Sequence, residues 1–145
     1  MDVTMARLRK KYICLLLLLF VSACSAIGTI VPVDRRIALQ PQTENQGQYK
    51  ASSLQVNYTY NISGADLKIS GNILFRELGA GSLDVHLLVL NSEGAIIAQK
   101  IVYSSGYRTM SAKPKELRFN EKIPMSPEAT AFSFEYSSRP KSGRQ

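Results

Sequence analysis

From Leu54 onward the chain alternates apolar and polar residues with a period of two, and no other feature restricts its fold so tightly. In "SSLQVNYTYNISG", Leu54, Val56, Tyr58, Tyr60 and Ile62 fall on one side of an extended backbone, with Gln55, Asn57, Thr59 and Asn61 on the other. This is the pattern of a strand with one dry face. "DLKISGNILF" repeats it, setting Leu67, Ile69, Gly71, Ile73 and Phe75 against Lys68, Ser70 and Asn72, and Ser63-Gly64-Ala65-Asp66 predicts a hairpin turn between the two. "LDVHLLVLN" is apolar at nearly every position from Val85 to Leu90, as expected of a central strand covered on both sides or at its middle. Asn91-Ser92-Glu93-Gly94 predicts a type I turn with glycine at a positive φ, and "AIIAQKIVYSS" the return strand. "ELRFNEKIPM" and "TAFSFEYSS" supply two more strands, the second with Phe132, Phe134 and Tyr136 on one face. Pro124 and Pro127 mark the turn between them.

Sheets with one apolar face need a second layer, and no window after Ile30 carries a helical period. The expectation is an all-β fold, an antiparallel sandwich of six or seven short strands closing over one core. With 145 residues there is room for one domain.

The formal net charge of +7 includes Arg7, Arg9, Lys10 and Lys11 against Asp2, all in the N-terminal segment, so the folded part is only mildly basic. That balance supports contact with anionic surfaces such as lipid head groups. It gives no clusters of Lys and Arg interleaved with stacking aromatics, so nucleic acid is not an expected partner. The cysteines are Cys14 and Cys24, both within or at the end of the N-terminal apolar run. None remains for the domain, which excludes a disulfide framework, a cysteine-ligated zinc site and a cysteine nucleophile there.

The N-terminal segment has a positive region, an unbroken apolar stretch from Ile13 to Val21, and the small residues Ser22 and Ala23 before Cys24, the grammar of a secretory signal helix. Val21-Ser22-Ala23-Cys24 resembles the lipobox of bacterial lipoproteins. The resemblance implies cleavage before Cys24 and acylation of its thiol, with several fatty chains anchoring the protein far more firmly than one. Ser25 after the cysteine, rather than Asp, implies the outer membrane, facing the periplasm, in a Gram-negative cell. The competing reading is an uncleaved span from Ile13 to Val33, whose second half is weakly apolar and interrupted by Pro32. "ISGNILFRELGAGSLDVHLLVLNSEGAIIA", residues 69 to 98, resembles small Ig-like or FxLYD-type envelope domains, which implies an Ig-like sandwich and no particular activity. The organisation expected is therefore a lipoprotein signal peptide at 1–23, a lipidated N-terminus and tether at 24–53, a sandwich at 54–138 and a basic tail at 139–145. "QPQTENQGQ", residues 40 to 48, reads as linker; whether 27–39 adds a strand through "TIVPV" stays open. A flexible stretch from 25 to 53 would reach about 30 Å.

Little in the domain points to chemistry. His86 is the single histidine and reads as a strand-rim residue, because a metal site or a catalytic base needs convergent partners. Asp66, Asp84, Glu93, Glu116, Glu121 and Glu135 are dispersed, with no spacing that favours a catalytic pair. There is no phosphate loop and no nucleophile elbow. No enzyme activity, cofactor or metal is expected. The glycosylation-type matches at Asn57 and Asn61 are coincidental in a bacterial lipoprotein. Numerous tyrosines are expected to fill the core with hydroxyls at its rim, or to make a binding face. Tyr107 together with Arg139, Lys141 and Arg144 of the tail is the candidate binding surface. The expected function is that of an anchored envelope interaction module whose partners are membrane lipid through Cys24 and an envelope protein or wall polymer. The alternative is a lipoprotein holding a small molecule or glycan in a cleft of the sandwich.

Overall fold

The computed structural model describes residues 26–41, 44–76, 80–106 and 117–140. Val21, Ser22, Ala23, Cys24, Tyr107, Lys141 and Arg144 lie outside the described residues. Eight strands are formed: β1 (Ile37–Ala38), β2 (Asn45–Lys50), β3 (Leu54–Ser63), β4 (Asp66–Phe75), β5 (Ala80–Leu90), β6 (Ile96–Ser104), β7 (Leu117–Pro124) and β8 (Ala131–Pro140). They make two four-stranded antiparallel sheets, β1-β8-β5-β6 (sheet 1) and β2-β3-β4-β7 (sheet 2). β4 pairs with β7, while their successors β5 and β8 pair in the other sheet. The two crossovers therefore interlock, as in Greek-key sandwiches.

The alternation works as expected. Leu54, Val56, Tyr58 and Tyr60 of β3, Leu67, Ile69 and Ile73 of β4, Leu83, Val85, Leu87 and Val89 of β5, and Phe132 and Phe134 of β8 fill one core. The tyrosines belong to it: Tyr58 and Tyr60 stack edge-on against Phe132 at 5.4 and 5.1 Å between centroids, and Tyr49 lies 5.5 Å from Phe134. These rings are not a binding face. Tyr60 keeps its hydroxyl at the rim, donating to the Ala38 carbonyl at 3.1 Å and accepting from the Gln40 amide at 3.1 Å. At the other margin Lys100 of β6 reaches Glu121 of β7 at 2.7 Å and the Lys122 carbonyl at 3.1 Å, joining the two sheets.

Two findings depart from the sequence expectation. The strand count is eight among the described residues, not six or seven, because β1 and β2 form within the stretch expected to be a tether. β2 hides its alternation. Of its inward positions only Tyr49 carries a large apolar side chain, and Gly47 faces Tyr58 across the ladder. A Cβ on Gly47 would fall on the Tyr58 hydroxyl and lie 2.7 Å from its ring, so the neighbour supplies the packing that a β2 side chain would have supplied. The second departure is that residues 26–36 pack on the domain, so the 25–53 stretch is not a 30 Å flexible lead.

Candidate functional site

β5 explains why residues 26–36 are held. Its outward positions include Leu88 and Leu90, which together with Ile96 of β6 and Ala131 of β8 put a small apolar patch on the outer face of sheet 1. The chain from Ala26 covers it as a strap, burying Val31 against that patch, with Ala26 partly buried beside it. Leu88, Leu90 and Ile96 are left 4%, 0% and 4% exposed, a cover that contributes about 1.5–3 kcal/mol for each large side chain. Backbone bonds seat the strap along the free margin of β6: Gly28 N–H to the Ile96 carbonyl (2.8 Å), Ile96 N–H to that of Thr29 (2.9 Å) and Val31 N–H to that of Gly94 (2.9 Å). Ile30 bridges Ala95, so "TIVPV" adds a single bridge and not a full strand.

The strap then crosses to β8. A 3-10 turn over Val33–Arg35 brings the Arg35 carbonyl onto buried Ser133, whose hydroxyl donates to it at 2.7 Å. Arg36 folds back, its Nε donating to the Val31 carbonyl at 2.7 Å, and its guanidinium lies over Gly94. Gly94 has φ +85°, the positive value expected for this turn, and Asn91 closes the turn by accepting the Glu93 and Ala95 amides on its Oδ1 at 3.1 and 2.9 Å.

The outer face of sheet 2 is the opposite case. It is a bare, shallow trough of about 940 Å³, lined by amides, hydroxyls and a cation: Gln46, Gln48, Asn57, Thr59, Asn72 and Arg118. Asn57 Oδ1 accepts from Gln48 at 2.7 Å and from Gln55 at 3.3 Å. Gly47 and Gly71 flank Tyr58 on the inner side of the same sheet, in register on either strand. A Cβ on Gly71 would strike the Asn57 carbonyl and come within 2.9 Å of the Phe119 ring. Sheet 2 thus lies close onto its own aromatic rings beneath the trough.

The residues singled out in the sequence do not converge. His86 sits half-buried on the outer face of sheet 1 with its Nδ1 2.6 Å from Gln99 Nε2, and Asp84 accepts from Ser104 at 2.5 Å. Arg139 is exposed near the end of β8. Among the described residues no group of three or more His, Cys, Asp or Glu is placed to hold a metal ion. Among them, too, no helix is long and apolar enough to cross a membrane. β8 has β1 on its outer side only at Ala131 and Phe132, so from Ser133 to Pro140 that edge has no strand beside it among the described residues. Between this edge, β2 and the strap lies a recess of about 400 Å³ bounded by Val31, Arg35, Tyr49, Leu88, Ser133 and Tyr136, and the Tyr136 hydroxyl is 2.9 Å from Ser52 Oγ. Burial raises the pKa of Tyr49 there, while Ser133 and Arg35 act in the opposite sense.

Sequence reading expected cover on both sides of the apolar run of β5 but did not identify the strap that supplies it, and it did not single out the trough. Leu88 and Leu90, apolar on the wrong side of a half-buried strand, were the signal that something covers sheet 1.

No family model matches the chain, and no curated protein does. Among solved structures, the infectious bursal disease virus VP2 subviral particle is similar at 16% identity and a TM-score of 0.46, over 75% of this chain and 27% of that one. The chain thus spans about a quarter of the length of that protein.

Proposed function

We propose that the chain is a lipid-anchored cell-envelope lipoprotein whose sandwich is a non-enzymatic interaction module. It is held through acylated Cys24 and, in a Gram-negative cell, faces the periplasm from the outer membrane. The observation that carries the reading is the apolar run closed by Val21-Ser22-Ala23-Cys24, two residues before Ala26 joins the domain. A core filled by side chains such as Phe132, Phe134 and Leu87, together with the open edge of β8, supports surface recognition over a cleft between the sheets. An alkyne fatty acid fed to expressing cells should label the protein and not its Cys24→Ala variant, and the mature mass should begin at Cys24. An intact leader or an unmodified thiol overturns the reading.

One observation favours a second reading, that the module binds glycan, but on the trough of sheet 2 and not in a cleft. Paired donors and acceptors of Gln48, Asn57 and Asn72 suit vicinal hydroxyls. Titration of the 15N-labelled protein with chito-oligosaccharide should move the side-chain amides of Asn57 and Asn72. Shifts elsewhere, or none, exclude it.

A further inference from the structure

We infer that the strap holds the domain directly on the bilayer, with Ile27, Ile30 and Val33 seated at the lipid interface and the trough of sheet 2 turned away from it. This rests on the acylation of Cys24 proposed above. The argument starts from chain length. Ser25 alone separates Cys24 from Ala26, and two trans peptide units span at most about 7.6 Å between α-carbons. Ala26 is not the start of a loose lead, because Gly28 is already hydrogen-bonded to Ile96 and Val31 to Gly94. Acyl chains on Cys24 therefore enter the membrane next to the outer face of sheet 1, and the domain has no slack with which to stand clear.

The surface next to that point has the chemistry of a membrane contact. Ile27, Ile30 and Val33 are 46%, 63% and 75% exposed, within nine residues of Cys24. The remaining large exposed aliphatic among the described residues is Ile101, 52% exposed, which pairs with outward-facing His86 in the same sheet. Sheet 2 shows none on its outer face. The charges nearby are mixed: Asp34 sits beside Arg35 on the strap, and Asp84 and Glu135 share the face with Arg139. Apolar contact and the fatty chains, not attraction to anionic lipid, therefore hold this face down. The trough lies on the opposite side, beyond a sheet-to-sheet spacing of about 10 Å.

The test uses the lipidated full-length protein reconstituted in phosphatidylcholine vesicles, labelled at one introduced cysteine with an environment-sensitive fluorophore and challenged with lipids carrying a headgroup-depth quencher. Label at Ile30→Cys should be quenched about threefold or more beyond label at Asn72→Cys, unchanged by 0.5 M salt or by added anionic lipid, as apolar seating requires. A sixteen-residue Gly/Ser insertion after Ser25, reaching about 22 Å, should narrow the difference between the two sites while leaving acylation intact. Equal quenching in the acylated protein without the insertion, or stronger quenching at Asn72, overturns the orientation and leaves the anchor standing. An N-terminal peptide without acyl mass overturns the anchor, and the orientation with it.

Discussion

The two sheets of this sandwich present the same alternating pattern to the core and opposite chemistry to the outside. Sheet 1 carries Leu88, Leu90, Ile96 and Ala131 on its outer face and is closed by a strap. Sheet 2 carries Gln48, Asn57, Ser70, Asn72 and Asn120 on its outer face and is bare. The difference shows how a sandwich of this size acquires direction. Polar residues need no cover, while apolar residues on the outer side force the chain to return over them. The side that the strap covers is also the side on which the described chain begins, at Ala26.

The comparison is broken most directly by cutting equivalent depth from each face. Leu90 is fully buried under the strap, so Leu90→Ala should cost about 2–5 kcal/mol in urea unfolding. Asn72→Ala on the trough should stay within about 0.5 kcal/mol. Equal losses would mean that the strap covers nothing of energetic weight.

The next effect belongs to sheet 2. Gly71→Ala places a methyl group on the Asn57 carbonyl, a backbone atom that cannot step aside cheaply, and should cost about 1–3 kcal/mol. The same change at Gly64, whose Cβ would meet nothing within 4 Å but whose φ is +65°, separates crowding from backbone strain.

How far the sequence could be read follows the same division. β3 and β4 were legible almost residue by residue, because their dry faces are continuous runs of aliphatic and aromatic side chains at period two. β2 was not, since Gly47 leaves its place to Tyr58, and that exchange is visible only once the register is known. The strap was illegible for a different reason. It is held by backbone bonds and by Val31 and Ala26, which have no period, so its seat is written in β5 and not in itself. The trough was half legible: its polar side chains are plain in the alternation, but the glycines beneath it lie against two different rings, Gly47 against Tyr58 and Gly71 against Phe119, which only the register reveals. The lipobox-like residues lie outside the described residues, whereas Arg139, a candidate by charge alone, is exposed near the end of β8 on the outer face of sheet 1.

Arg36 sharpens the comparison at smaller cost. Its Nε holds the Val31 carbonyl, so Arg36→Ala should lose about 1–2 kcal/mol, and Arg36→Lys should not restore it because lysine lacks a donor at that atom. Hydrogen exchange gives the sharper readout. The amides of Gly28 and Val31 should exchange faster in the variant, while those of β3 and β4 keep their rates.

The smallest effect concerns what the faces share. Burial raises the pKa of Tyr49, Tyr58 and Tyr103 above the ordinary value of 10.0, with neighbouring Tyr60 adding to the effect at Tyr58. The folded state therefore holds these protons more tightly than the unfolded chain does. Their contribution is fully present below the unfolded pKa, and it is lost as pH rises through the higher folded values. Unfolding free energy measured in urea should fall progressively above about pH 10. Tyr58→Phe should make that fall shallower, because phenylalanine keeps the ring against Phe132 and has no proton to lose. The variant that matters for the comparison is Leu90→Ala, which should be less stable at every pH and yet fall with the same alkaline slope, since the three phenols pack with the core between the sheets and not in the cluster that holds Leu90. A changed slope in that variant would mean that stripping the outer face of sheet 1 also loosens the core between the sheets, and that the two faces are not independent.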